Sequence, residues 1–279
     1  MIDIPTSKLH DGLEIPMLGL GTYKLKGEHG VQSLTNAIDL GYRLLDSAYN
    51  YENEGTIGQA VRETSVSRDD LIITSKLPGR YHEYDLALET VQESLYRGNL
   101  DYYDLYLIHW PNPITDKYVE AWQALIEAKK RGYVRSIGVC NFLPEHMDRL
   151  QKETGELPVV NQIELHPHFN QEQTRKWHTS HKVQTQSWSP LGRMAYIEDD
   201  QHLKEIAQKY DKTIAQIVLR WHHQLNAIII PKSGSKERQF ENMNIFDFAL
   251  SEKEMAKINQ LTRPDGRQKD QNPAVYEEF

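Results

Sequence analysis

Residues 71–76 read Leu-Ile-Ile-Thr-Ser-Lys, a short run of strand-forming residues that ends on a cation. The same arrangement recurs on either side of it. Arg43-Leu-Leu-Asp46 lies upstream, and Leu105-Tyr-Leu-Ile-His109 and Ile137-Gly-Val-Cys140 lie downstream. The runs end at 46, 76, 109 and 140, spacings of 30, 33 and 31 residues, each the length of one strand–helix unit. Three further strand-like runs follow: Val159-Val-Asn-Gln-Ile163, Val183-Gln-Thr-Gln-Ser-Trp188 and Ala227-Ile-Ile-Ile230. Between the runs, apolar residues fall near helical spacing. Val31, Leu34, Ile38 and Leu40 precede Gly41; Leu86, Leu88, Val91 and Leu95 precede Gly98; Trp122, Leu125, Ile126 and Lys129 precede Gly132. Ile206, Ile214, Ile217, Val218 and Trp221 belong to a region of two more helices.

Strands that alternate with helices imply parallel βα units. Eight such units need about 250 residues, and the 279 residues here match that with little to spare. The reading is therefore α/β, a (β/α)8 TIM barrel. A doubly wound sheet is the competing architecture, and it would show Gly-x-Gly-x-x-Gly after its first strand. Gly19-Leu-Gly-Thr-Tyr-Lys24 lacks the third glycine and precedes no clear helix. No linker or repeat divides the chain, so residues 1–279 are expected to form a single domain. Lys8-Leu-His-Asp-Gly-Leu-Glu-Ile15 carries an Asp-Gly turn between short extended arms and reads as an N-terminal β-hairpin, placed to plug the bottom of a barrel. The polar stretch from Arg263 to Phe279 reads as a surface loop.

Composition narrows the function classes. Lys and Arg number 32 against 40 Asp and Glu, a net charge of -8, which argues against nucleic acid or an anionic membrane as the main partner. Cys140 is the one cysteine, so an intrachain disulfide and a cysteine-rich metal site are excluded and a reducing, cytoplasmic compartment is expected. No charged segment followed by an apolar run opens the chain, and no run approaches 18 apolar residues. His166-Pro-His168 and His222-His223 lack supporting carboxylate or cysteine spacing, so they read as packing or surface histidines and no metal is expected. Trp122 and Trp221 read as core.

In a (β/α)8 barrel the chemistry sits at the C-terminal ends of the strands. Asp46, Lys76 and His109 end three successive strands, and Tyr51 lies five residues past Asp46 in the same rim loop. Taken singly, a strand-end Asp is an ordinary helix cap and a strand-end Lys an ordinary solvated cation. On consecutive strands they place an acid, a cation and an imidazole on one rim. A free tyrosine holds its proton with a pKa of about 10. A nearby Lys⁺ stabilises the tyrosinate, and a paired Asp keeps a buried Lys charged. With His109 donating a hydrogen bond to a carbonyl, the set suits Tyr51 as general acid for a carbonyl oxygen as hydride arrives at carbon.

Longer motifs carry a resemblance. Gly41-Tyr-Arg-Leu-Leu-Asp-Ser-Ala-Tyr-Asn-Tyr51, Leu107-Ile-His-Trp-Pro111, Ile137-Gly-Val-Cys-Asn-Phe142, Asn161-Gln-Ile-Glu-Leu-His-Pro167 and Ile230-Pro-Lys-Ser233 are similar to signatures of the aldo-keto reductases. The similarity runs in order from the hairpin to about Phe248. The resemblance implies a TIM barrel, a nicotinamide cofactor, usually NADPH (NADP+), and an Asp–Tyr–Lys–His tetrad falling here on Asp46, Tyr51, Lys76 and His109. It implies that Asn141 and Gln162 hold the nicotinamide carboxamide, that Trp188 stacks on the ring, and that Ser189 and Leu191 contact the pyrophosphate. Gly21 and Thr22, in the first rim loop, are added as cofactor contacts.

The segment Lys232-Ser-Gly-Ser-Lys-Glu-Arg-Gln-Phe-Glu-Asn242 follows a strand and opens a helix, so its amides form an anion site. Outside the family context it reads as an exposed polar loop. Within it, Lys232, Ser233 and Arg238 are expected at the adenosine 2′-phosphate, and Glu241 and Asn242 at adenine. The short loop after Trp110 and the short tail resemble the compact bacterial and plant-type members, similar to diketogluconate and methylglyoxal reductases. The expected protein is a monomeric, cytoplasmic, NADPH-dependent reductase of small carbonyl compounds with an open site. Two other classes are weighed: a non-catalytic cofactor-binding module, and a TIM-barrel isomerase or lyase acting on sugar phosphates. The intact tetrad argues against the first, and binding of NADPH would exclude the second.

Overall fold

The computed structural model describes residues 2–194 and 197–279. A hairpin of β1 (Thr6–Lys8) and β2 (Glu14–Pro16) precedes eight parallel strands: β3 (Leu20–Gly21), β4 (Leu44–Asp46), β5 (Ile72–Leu77), β6 (Tyr103–Ile108), β7 (Val134–Cys140), β8 (Val160–Glu164), β9 (Gln184–Trp188) and β10 (Ile228–Ile230). Their spatial order follows the sequence from β3 to β10. Parallel bridges from Leu18 to Ile229 and from Gly21 to Lys232 join the first strand to the last and close the barrel. The expected (β/α)8 barrel with an N-terminal hairpin is the observed fold.

Ten helices surround the strands among the described residues: α1 (Gly27–Leu40), α2 (Glu54–Glu63), α3 (Tyr84–Gly98), α4 (Tyr118–Lys130), α5 (Pro144–Thr154), α6 (Glu172–Ser180), α7 (Gln201–Tyr210), α8 (Ile214–Gln224), α9 (Lys236–Met243) and α10 (Glu252–Asn259). Gly41 ends α1 at φ 121°, a value that suits glycine, as its spacing predicts. α3 ends at Gly98, as its spacing predicts, with Asn99 capping it in the left-handed region. Gly98 also meets Gly58 of α2 so closely that a Cβ on Gly58 would lie 1.6 Å from the Gly98 carbonyl oxygen.

Alternation along each strand decides what faces the interior. Leu44, Ile72, Leu105, Leu107, Val160, Ile228 and Ile230 pack together inside the barrel with Leu9, Ile15 and Met17. Their neighbours Leu45, Ile73, Tyr106, Ile108, Ile137 and Val139 pack outward against the helices with Leu34, Ile38 and Val91. The hairpin seals the N-terminal end. Ser136 Oγ, near the start of β7, donates to Asp11 Oδ2 at 2.6 Å, and Ser7 Oγ donates to Gln184 Oε1 at 3.1 Å at the start of β9. Trp122 and Trp221 are fully buried, as expected.

One expectation fails in this framework. The stretch after Arg263 is not simply a surface loop: Gly266 and Glu278 are buried, and the last residues fold back across the C-terminal rim. Among the described residues no helix is long and apolar enough to cross a membrane.

Candidate active site

The interior parity that buries Leu44 and Ile72 continues to the strand ends. Asp46 lies two residues past Leu44, Lys76 four past Ile72, and His109 two past Leu107, so all three enter the barrel mouth from its inner face. By the same parity Cys140, Gln162 and Trp188 join them. A cleft of about 1250 Å³ opens above, lined by Asp46, Tyr51, His109, Asn141, Gln162 and Trp188 at its centre. Gly21, Thr22, Ser189, Leu191, Lys232, Ser233, Arg238, Glu241 and Asn242 line it as well. Of the sixteen site residues expected from sequence, Lys76 lies beneath the cleft and the others line it.

Lys76 Nζ lies 2.7 Å from Asp46 Oδ2, and both side chains are buried. Lys76 also donates to the Ser47 carbonyl at 2.7 Å. Burial alone would strip the proton from this lysine. Burial is the largest single influence, but Asp46, by charge and hydrogen bond, together with Tyr51 and Cys140 outweighs it and holds the ammonium charged, with its pKa raised above the usual range. Asp46 Oδ1 accepts from Gln162 Nε2 at 2.7 Å, and the same amide donates to Gln186 Oε1 at 2.8 Å.

Tyr51 ends a single 3₁₀ turn, Tyr49–Tyr51, immediately after β4. Lys76 Nζ sits 5.2 Å from its ring centroid. The His109 ring is 6.0 Å away and the Tyr23 ring 5.1 Å away, both edge-on. Burial pushes the Tyr51 hydroxyl up to about 12 while Lys76 pulls it back. Lys76 acts in the direction expected from the sequence, but burial is the larger influence and the net shift is upward.

Asn141 and Ser189 each follow a strand and each hold a left-handed backbone, at φ 62° and 48°. Such conformations in non-glycine residues cluster at functional sites. Asn141 Nδ2 donates to the His109 carbonyl at 3.1 Å, and its Oδ1 accepts from Trp188 Nε1 at 2.8 Å. Gln162 Oε1 has a long 3.8 Å contact with Cys140 Sγ. At the far end, Ser235 caps α9 by accepting from the Arg238 amide. Lys232 and Arg238 are exposed, and among the described residues neither side chain is in an ion pair.

Three residues escaped the sequence reading. Glu278 brings a buried carboxylate to 2.8 Å from His109 Nδ1. Asn112 holds the Glu278 backbone by donating to its carbonyl at 2.8 Å and accepting from its amide at 3.0 Å. Tyr276 packs on Trp110 with centroids 4.5 Å apart. A terminal Tyr-Glu-Glu-Phe looks solvent-facing in sequence; its one signal is an aromatic residue beside acids in an otherwise polar tail. The histidine pairs take packing roles: His222 contacts Ser187 Oγ and the Pro190 carbonyl, and His166 contacts Glu164. No group of His, Cys, Asp and Glu suited to a metal occurs among the described residues. Cys140 is buried, and burial raises its thiol pKa well above the usual value.

The model of the Aldo/keto reductase family matches residues 17–263. The chain is 48% identical over 279 residues to 2,5-diketo-D-gluconic acid reductase B of Corynebacterium sp. (strain SHS752001), covering all of both chains. It is 45% identical over 255 residues to methylglyoxal reductase DkgA of Escherichia coli (strain K12), covering 91% of this chain and 92% of that one. The crystal structure of a Bombyx mori aldo-keto reductase in complex with NADP is similar at TM-score 0.89 and 34% identity, covering 97% of this chain and 96% of that one. A family model over most of the barrel, and close relatives along the whole chain, agree with the tetrad-like cluster at its mouth: the chain belongs to the aldo/keto reductase family of oxidoreductases.

Proposed function

We propose that this oxidoreductase reduces small aldehydes and ketones, such as methylglyoxal or keto-sugars, to alcohols with NADPH. One observation carries the reading. A single cleft joins a buried acid–cation pair, a tyrosine and an imidazole to two cations beside a helix N-terminus, neither of them in an ion pair among the described residues.

The residues fit the cofactor. Gly21 lines the cleft and packs closely on the end of β10, where a Cβ would lie 3.2 Å from the Ile230 carbonyl oxygen. Lys232, Ser233 and Arg238 would hold the 2′-phosphate with charged donors and a hydroxyl. Glu241 and Asn242 would meet adenine, Ser189 and Leu191 the pyrophosphate, and Gly21 and Thr22 the near edge. Trp188 would stack on the nicotinamide. Gln162 commits its amide nitrogen to Asp46 and Gln186, so its Oε1 is the atom left to accept from the carboxamide. Asn141 would complete that contact. NADPH bound there supplies a hydride to the carbonyl carbon.

The chain's own residues manage the proton. The raised Tyr51 pKa keeps the hydroxyl protonated at neutral pH, ready to donate to the carbonyl oxygen. Lys76⁺ stabilises the tyrosinate as the proton leaves, and Asp46 keeps Lys76 charged. His109 orients the carbonyl. The site is complete within one chain, which supports a monomer, and the single free cysteine supports the cytoplasm. The test is NADPH oxidation against a panel of methylglyoxal, keto-sugars and larger ketones. Turnover of the small members is expected. Binding of NADPH with no oxidation by any carbonyl would refute the reading.

A further inference from the structure

The tail is fastened to the loop after β6 by three consecutive residues. Tyr276 packs at a tilt against Trp110, the Glu277 carboxylate accepts from the Ile114 and Thr115 amides, and Asn112 clamps the Glu278 backbone. This fastening delivers one side chain to the site. Glu278 Oε1 lies 2.8 Å from His109 Nδ1 and accepts from Asn50 Nδ2 at 2.9 Å. Its Oε2 accepts from the Gly79 amide at 3.2 Å. A carboxylate so partnered is fixed in place.

We infer that Glu278 is a positioning residue for His109, holding the imidazole by its Nδ1 edge and stabilising the charged ring that donates to the substrate carbonyl. His109 Nδ1 is buried 2.8 Å from the carboxylate, in ion-pair contact and not in an aligned hydrogen bond, while the ring still lines the cleft. A proton drawn to Nδ1 leaves Nε2 able to donate only when the ring is an imidazolium, and the carboxylate favours that form. The other titratable groups that feel Glu278 are Tyr51 from the turn after β4, His82 from the turn after β5, and Cys140 at the end of β7. Burial holds all three neutral near pH 7: Tyr51 is pushed up to about 12, His82 is lowered to about 4, and Cys140 is raised. Lys76 is engaged by Asp46, and Arg80 reaches Glu278 only through Asn50. Among the described residues, His109 is thus the direct partner of Glu278 able to carry a positive charge. The Glu278 pKa, which burial alone would raise, is lowered because His109, with the hydrogen bonds from Asn50 and the Gly79 amide, outweighs burial.

The inference rests on the proposed function only for the substrate's place at His109, so it is tested with and without turnover. In the full-length enzyme, Glu278→Gln should cut kcat for methylglyoxal by about 10- to 100-fold, a magnitude taken by analogy from partners that orient metal-bound histidines. NADPH affinity should stay near wild type, and the deficit should shrink as the pH is lowered, because acid protonates the ring without help from the carboxylate. Glu278→Asp, which keeps the charge, should recover part of the loss. Unchanged kcat in Glu278→Gln overturns the inference, as does an equal loss at every pH. ¹⁵N spectroscopy of the His109 ring reads the pair without substrate. Both nitrogens protonated near neutral pH in wild type, but not in Glu278→Gln, is the expected result. A neutral ring with its proton on Nε2 in wild type overturns the inference even if no carbonyl is ever turned over.

Discussion

Asp46 Oδ2 and Lys76 Nζ meet at 2.7 Å on adjacent strands, inside the barrel, with side chains 4% and 0% exposed. Neither charge would survive there alone. The pair is held from both flanks, by Gln162 on the carboxylate and by the Ser47 carbonyl on the ammonium.

Lys76→Met should therefore cost stability as well as activity. It leaves Asp46 buried with one amide donor and no cation. Breaking a buried pair by removing one partner costs about 3–5 kcal/mol. Chemical denaturation of the variant should show a loss of that order. A wild-type midpoint would mean that solvent reaches Asp46 and that the pair is not buried in solution.

Tyr51→Phe separates chemistry from packing. The ring contacts with Tyr23 and His109 are kept, and only the hydroxyl goes. General acid residues contribute roughly 10²–10⁴-fold. A fall in kcat of that size is expected, with NADPH binding unchanged. If kcat holds, another group delivers the proton.

Much of this site was legible in the sequence because strand ends carry their own signature. Apolar runs that stop on Asp46, Lys76 and His109 gave the rim to within one residue, and alternation then set the inward direction. β3 was illegible for a physical reason: two residues, Leu20 and Gly21, show no periodicity, and their place is fixed by neighbours on β4 and by Lys232 just past β10. The tail was illegible for another. Glu278 is buried by pairing with residues far off in sequence, Asn50, Gly79, His109 and Asn112, and nothing local distinguishes it from the exposed acids that usually end a chain.

Buried histidines give the fold an acid limit. Burial lowers His82 to about 4, and His178 and His222 to about 3. In the unfolded chain each titrates near about 6.5. Between those values the unfolded state binds protons that the folded state refuses, so stability is full above about 6.5 and is lost as pH falls. Each group contributes a slope of at most about 1.4 kcal/mol per pH unit. Urea denaturation should show a clear fall in midpoint between about pH 7.5 and about pH 5.5. His222→Gln, which keeps a polar partner for Ser187, should flatten that fall. A midpoint independent of pH would mean that these rings are already open to protons in the native state.

Cofactor preference tests the far end of the cleft. NADPH differs from NADH by the 2′-phosphate alone, so any preference must come from groups that meet it. Arg238 sits in the first turn of α9, exposed, with no ion pair among the described residues to lose. Its removal should leave the barrel intact. A hydrogen bond to a charged group is worth about 1.5–3 kcal/mol, and about 1.4 kcal/mol is tenfold in affinity. Arg238→Ala should therefore weaken NADPH binding by roughly 10- to 150-fold. NADH, which lacks the phosphate, should be affected far less. Salt should weaken NADPH more than NADH in the wild type, because the contact is exposed and screened. Fluorescence titration of both cofactors against both proteins makes the comparison. Equal losses for the two would place Arg238 on a part of the cofactor they share, and the phosphate would then have to be met by Lys232 and Ser233 without it.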